Sequence, residues 1–62
     1  MICENWEQAI DYVLRTGEDF VHENVTIKYQ YAIESIVLVT SESTKFYIPS
    51  NAELILNRDY EF

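Results

Sequence analysis

Residues 5–17 read NWEQAIDYVLRTG, and their apolar side chains repeat at the spacing of one helical face. That spacing places five residues on a single apolar stripe: Trp6, Ala9, Ile10, Val13 and Leu14. Asn5 is a suitable N-cap with Gln8 three positions later, as in a capping box. Gly17 is a suitable stop, because glycine takes the left-handed conformation without steric cost. The stretch therefore predicts an N-terminal amphipathic helix.

Carboxylates fall on the other side of this helix. At 100° per residue, Glu4, Glu7 and Asp11 lie opposite the apolar stripe. Arg15 follows Asp11 by four positions, a spacing at which the two side chains can pair. Tyr12 lies off the stripe, and we expect it to be half exposed.

Three strands are predicted after the helix. Residues 25–31 alternate apolar and polar side chains, which is typical of a strand with one wet side. Residues 36–40 form a β-branched run that suits a central strand covered on both faces, and residues 45–48 form a third strand ended by Pro49. Consecutive strands with short connections favour an antiparallel meander. The alternative is one long bent strand over residues 29–39.

The C-terminal residues fit two interpretations. Residues 50–53, SNAE, resemble a capping box that would begin a short helix running through Leu56. Residues 54–62 also suit a strand, a turn and a terminal strand. We favour the strand, because a helix of six or seven residues has little to stabilise it. The predicted fold is a single α+β domain over residues 1–62, with one N-terminal amphipathic helix packed on a three- to four-stranded antiparallel sheet.

Size and cysteine content limit how the chain is stabilised and where it works. With 62 residues and one cysteine, Cys3, the chain forms no internal disulfide. A lone thiol without a signal peptide fits a reducing cytoplasm. No apolar run approaches the roughly 20 residues of a membrane span. Aromatic residues, 15% of the chain, are expected to compensate for the small core.

Acidic residues dominate the charge. Eleven Asp and Glu oppose four Lys and Arg, giving a formal charge of −7, and six of the eleven fall in the first 23 positions. Such a balance repels nucleic acid and anionic membranes and attracts a basic protein surface. One such surface is that of a nucleic-acid-binding protein, because helix turns space carboxylates at about 5.4 Å, comparable to phosphates. The predicted partner-binding residues are Glu4, Glu7, Asp11, Tyr12, Glu18, Asp19 and Glu23.

Catalytic motifs are missing from the sequence. One histidine, one cysteine and one glycine cannot supply a hydrolytic triad with its Gly-x-Ser-x-Gly turn or a phosphate-binding loop. We therefore predict that the protein is not an enzyme and uses no cofactor. A lesser alternative is a metal-dependent sensor, in which four neighbouring side chains would hold a divalent ion: Glu18, Asp19, His22 and Glu23. Their spacing matches no specific metal motif, which favours an exposed histidine in an acidic loop.

Two functions of different classes follow. In size, acidity and lack of catalytic residues, the chain resembles the small accessory proteins that phages and mobile elements encode to inhibit host enzymes. The favoured prediction is a module that binds and modulates another protein through its acidic helix face. The alternative is a structural subunit that self-associates through its sheet as a homodimer or larger oligomer, with the acids serving solubility alone. Tyrosines on the strands, which are frequent at interfaces, support this alternative.

Overall fold

Along the chain, one helix precedes the four strands of a sheet and a second helix follows them. The computed structural model describes residues 3–62. Its elements are α1 Trp6–Thr16, β1 Phe20–His22, β2 Val25–Gln30, β3 Ser35–Val39, β4 Thr44–Tyr47 and α2 Pro49–Asp59. All three strand pairings are antiparallel, and the strands lie side by side in sequence order. The predicted α+β class and the meander are confirmed.

Both ends of α1 are capped as predicted. The Asn5 Oδ1 atom accepts a hydrogen bond from the Gln8 backbone N–H at 2.9 Å. The Gln8 Oε1 atom accepts one in return from the Glu4 N–H, also at 2.9 Å. Gly17 adopts a φ of 74°, and its N–H donates to the Val13 carbonyl oxygen. These bonds satisfy backbone groups that an uncapped helix would leave without partners.

The sheet has one covered face and one uncovered face. Ile27 pairs with Leu38, and Tyr29 pairs with Ile36, so these side chains share the face on which the helices pack. The alternate positions form the other face, over which no element of the described chain packs. We call this second surface the open face, and its strand residues are Val21, Thr26, Lys28, Gln30, Ser35, Val37, Val39, Thr44 and Phe46.

The prediction of a strand in the C-terminal residues was wrong. Residues 49–59 form α2, in which Pro49 occupies the first turn, where its missing N–H is not needed. The helix is held by tertiary packing, because Ala52 and Leu56, one turn apart, are both fully buried against the sheet and α1. Burial of this kind stabilises a helix that would be too short to be stable in isolation.

The fourth strand of the sheet is β1, which the sequence did not indicate. Phe20 to His22, interpreted as an acidic loop, forms β1 and pairs with β2. The two-residue turn between them places Glu23 at a φ of 56°. A second turn, over residues 31–34, separates β2 from β3, so the alternative of one bent strand was wrong.

The core lies between the helical layer and the covered face of the sheet. Its largest fully buried side chains come from both layers: Trp6, Val13, Ile27, Ile36 and Leu56. Val37, in the middle of β3, is buried as predicted for a central strand, although no second layer covers its face. In the described part of the chain, no helix combines the length and hydropathy needed to cross a membrane.

Candidate protein-binding groove

An open groove lies between α1 and the first turns of α2. It encloses about 450 Å³. Carboxylates of Glu7, Asp11 and Glu53 stand along it, and apolar surface is supplied by Ile10, Leu14 and Pro49. Asn5, Gln8 and Ser50 complete the lining. We call this site the acidic groove.

The periodicity of both helices explains this lining. On α1, Glu7, Asp11 and Leu14 project from the same flank of the helix, beside the buried stripe. On α2, Glu53 follows Pro49 by four positions, so the two residues occupy successive turns of one face. Leu14, predicted as part of the buried stripe, lies at its edge and is 38% exposed in the groove. The result is a groove lined by apolar side chains and by acidic residues from two helices.

The carboxylates of the groove remain available to an incoming cation. Asp11 pairs with Arg15 at 3.2 Å, as its spacing predicted, but more than half of each side chain is exposed. Exposed pairs of this kind contribute about 0–1 kcal/mol, so a partner's cation can compete for the carboxylate. Within residues 3–62, no salt bridge involves Glu7 or Glu53. The groove therefore presents uncompensated negative charge.

Tyr12 and Glu18, both predicted as partner contacts, lie away from the groove. Tyr12 is partly buried, as expected, and packs against Phe20 with ring centroids 6.3 Å apart. Its hydroxyl donates a hydrogen bond to the Glu18 carboxylate at 2.7 Å. This bond, which favours the protonated phenol, raises the pKa of Tyr12 above 10.0. The pair forms a separate feature on the opposite flank of α1.

The other predicted contacts are dispersed. Glu4 is exposed just before α1, Glu23 occupies the turn between β1 and β2, and Asp19 pairs with Lys28 at 3.6 Å beside the open face. The structure therefore brings together Glu7 and Asp11 from the predicted set and adds Glu53. Sequence analysis missed Glu53 because it favoured a strand there over the alternative of a short helix. The helix does form, but without the capping box predicted at residues 50–53, since its N-cap is Ile48 and no side chain caps it.

His22 belongs to an aromatic cluster. Its ring stacks on Phe62 at 4.3 Å and meets the edge of Trp6 at 5.5 Å. Among residues 3–62, no three His, Cys, Asp or Glu side chains are grouped so as to hold a metal ion. The four residues of the sensor alternative, Glu18, Asp19, His22 and Glu23, therefore form no such group. Cys3 is a free, buried thiol in the core.

The lining of the acidic groove is chemically suited to a cation. Carboxylates, amides, one hydroxyl and three apolar side chains line it, and the described lining contains no histidine or cysteine. Such a surface suits the ammonium or guanidinium group of a side chain together with its aliphatic stem. No protein-family model, curated protein or solved structure matches the chain.

Proposed function

We propose that the protein is a non-catalytic binding module that docks a basic, partly apolar segment of another protein in the acidic groove and thereby modulates that partner. The observation that supports this proposal is that Glu7, Asp11 and Glu53, from two helices, line one groove together with the apolar residues Ile10, Leu14 and Pro49. This shared lining distinguishes the groove from a merely solubilising helix face, on which carboxylates would line no concave apolar surface.

The occupant that fits best carries lysine or arginine beside apolar side chains. An arginine can bind Glu7 or Glu53 through its guanidinium while its methylene stem lies along Leu14 and Pro49. The basic surface of a nucleic-acid-binding protein has this composition. Carboxylates one helical turn apart, as in Glu7 and Asp11, would occupy the place of successive phosphates.

The remaining acids act at a distance in this proposal. With a formal charge of −7, the whole molecule attracts a basic partner before contact and speeds association. Glu4, Glu18, Asp19 and Glu23 contribute to that attraction, whereas the groove residues determine how long the partner stays bound. The protein's single thiol, that of Cys3, forms no disulfide within the chain, which suits a protein that works in a reducing cytoplasm.

The test compares two triple variants of equal charge. The groove variant carries Glu7→Gln, Asp11→Asn and Glu53→Gln, and the control carries Glu34→Gln, Glu42→Gln and Glu61→Gln, all outside the groove lining. The probe is a short fluorescent peptide of alternating arginine and leucine, and fluorescence anisotropy measures its dissociation constant. We expect the groove variant to bind about ten-fold more weakly than wild type and the control to lose no more than about three-fold.

Two further measurements sharpen this comparison. Amide chemical-shift changes on adding the peptide should concentrate in α1 and the first turns of α2. The dissociation constant should rise with salt, because screening weakens contacts between exposed charges. Equal weakening in both triple variants would mean that net charge alone attracts the peptide, and the groove would then lose its assigned role.

A further inference from the structure

Arg15 lies where α1 leaves the acidic groove. The lining contributed by α1 ends at Leu14, and Arg15 is the next residue of the helix. Its Nε atom lies 3.2 Å from Oδ2 of Asp11, which is a residue of the lining. The other salt bridges among residues 3–62 lie outside the lining, and they join Lys28 to Asp19 and Arg58 to Asp59. Arg15 is therefore the basic residue of the described chain that pairs with a carboxylate of the groove.

This pair reproduces, within the molecule, the contact expected of a partner. In the proposed function, an arginine of the partner brings a guanidinium group to a carboxylate of the groove. Arg15 brings the same chemical group to Asp11 from four positions away on the same helix. Two guanidinium groups, one from each molecule, are therefore suited to the same carboxylate.

The salt bridge is weak enough to be exchanged. The side chain of Arg15 is 58% exposed and that of Asp11 is 67% exposed, so water solvates both charges and screens their attraction. Exposed pairs of this kind shift an equilibrium by at most about five-fold. Arg15 also lies in the last turn of α1, where its charge interacts favourably with the helix dipole whether or not it contacts Asp11.

We propose that Arg15 is an intramolecular competitor for the acidic groove, which pairs with Asp11 in the free protein and must release it when a basic segment binds. This inference rests on the proposed function and adds the regulation of that site. No salt bridge among residues 3–62 involves Glu7 or Glu53, so these two carboxylates are open to the first cations of a partner. Asp11 becomes available only when Arg15 is displaced, and the pair therefore lowers the affinity of the groove.

Two arginine variants that match in position test the proposal. Arg15→Gln and Arg58→Gln each remove one guanidinium group from the last turn of an 11-residue helix. Each also frees one aspartate, which is Asp11 in the groove or Asp59 outside it. The probe is the same fluorescent peptide of alternating arginine and leucine. We expect Arg15→Gln to bind it about two- to five-fold more tightly than wild type, and Arg58→Gln to gain no more than about 1.5-fold from the equal change in net charge.

A second comparison removes the carboxylate for which the two guanidinium groups compete. In an Asp11→Asn background, Arg15 has no charge to hold in the groove. Arg15→Gln should then change the dissociation constant of the peptide no more than Arg58→Gln does in the same background. A gain that persists without the Asp11 carboxylate would overturn the proposal, because it would come from net charge or from a different contact of Arg15. Circular dichroism checks that each variant folds.

Release of Arg15 can be observed directly by NMR on its Nε–H group. As the peptide is added to wild type, the ¹⁵Nε signal of Arg15 should move toward its position in the Asp11→Asn variant. The signal of Arg58, whose Nε lies 3.0 Å from Asp59, should stay in place and is the control. An Arg15 signal that is unchanged at saturation would mean that the peptide binds with the salt bridge intact, and Arg15 would then not be a competitor.

Failure of this inference can be distinguished from failure of the proposed function. Equal weakening of peptide binding in the groove triple variant and its control would overturn both, because the groove would not be the site. If the groove triple variant binds about ten-fold more weakly, as expected, while Arg15→Gln binds no more tightly than Arg58→Gln, only the competitor role is overturned. Weaker binding by Arg15→Gln would also overturn it, and would mean that Arg15 holds Asp11 in position for the partner.

Discussion

The indole Nε1 of Trp6 donates a hydrogen bond to the carbonyl oxygen of Tyr60 at 3.1 Å, which joins the start of α1 to the end of α2 across 54 positions. Beside this bond, the ring of Phe62 meets the edge of Trp6 at 4.8 Å and stacks on His22. Residues from both ends of the described chain and from β1 therefore form one aromatic cluster. Edge-to-face and offset contacts of this kind contribute beyond the area they bury.

Replacement of Phe62 by alanine should lower the free energy of unfolding by about 1–3 kcal/mol, because the ring contacts Trp6, Phe20 and His22 while remaining 37% exposed. Urea unfolding followed by the fluorescence of Trp6, the single tryptophan, measures the change. Leu54→Ala, at a more exposed position on α2, is the control and should stay within about 0.5 kcal/mol of wild type. Equal effects of the two changes would show that the aromatic cluster adds no stability.

Replacement of Gly17 by alanine should lower the free energy of unfolding by about 1–2 kcal/mol, since residue 17 has a φ of 74°. The new Cβ would also lie 2.9 Å from the Tyr31 hydroxyl oxygen. Tyr31→Phe removes that oxygen and leaves Cζ, at 3.7 Å, as the nearest ring atom. Because the exposed Tyr31 side chain can shift, we expect the cost of Gly17→Ala to fall by less than about 0.5 kcal/mol in the Tyr31→Phe background. A larger recovery would assign the cost to the contact rather than to the backbone.

Replacement of Glu34 by glycine should stabilise the fold by about 0.5–1 kcal/mol. Glu34 has a φ of 51° at the end of the turn between β2 and β3, a conformation that costs little only for glycine. Glu42→Gly is the matched control, because it removes the same charge from a residue whose φ is negative. That control should be neutral or destabilising, since glycine increases the entropy of the unfolded chain. Thermal unfolding of the two variants at equal protein concentration provides the comparison.

Stability above pH 10 should depend on the hydrogen bond from Tyr12 to Glu18. The pKa of Tyr12 in the folded protein is raised above 10.0, so this bond stabilises the fold fully below pH 10 and is lost as pH rises through the raised pKa. The difference in stability between wild type and Tyr12→Phe should therefore be constant below pH 10 and should shrink above it.

The titration of Tyr12 itself can be followed by the ¹³C shifts of its ring. Glu18→Gln removes the carboxylate that raises the pKa, so Tyr12 should then titrate nearer 10.0. If Tyr12 titrates at the same pH in wild type and Glu18→Gln, the hydrogen bond seen in the structure does not persist in solution.

Local patterns were sufficient for α1 and for the three longer strands. The Asn5 cap, the Gly17 stop and four of the five stripe residues were predicted correctly, because each depends on residues within four positions of one another. Leu14, the fifth residue of the predicted stripe, is partly exposed at its edge. The alternation in residues 25–31 likewise predicted β2 and its two faces, although the strand ends at Gln30. Pairing of Asp11 with Arg15 followed from their spacing on one helix.

The site could be predicted only in part. Glu7 and Asp11 were expected on an outer helix face and do line the acidic groove. Glu53 and Pro49 were missed, because their position beside α1 depends on where α2 packs. Tyr12 and Asp19, both predicted as partner-binding residues, form contacts with Glu18 and Lys28 instead.

The amino-acid sequence by itself determined the N-terminal helix, the meander and the strong negative charge, because periodicity, turn residues and composition act over short range. Only the tertiary structure decided that residues 49–59 are helical, that Phe20 to His22 form a strand, and that one sheet face lacks a covering layer. The first two depend on contacts with segments distant in the fold or in sequence. Burial of Ala52 and Leu56 in the core stabilises α2, and pairing with β2 stabilises β1. Where local preference is weak, the free energy of packing selects the structure.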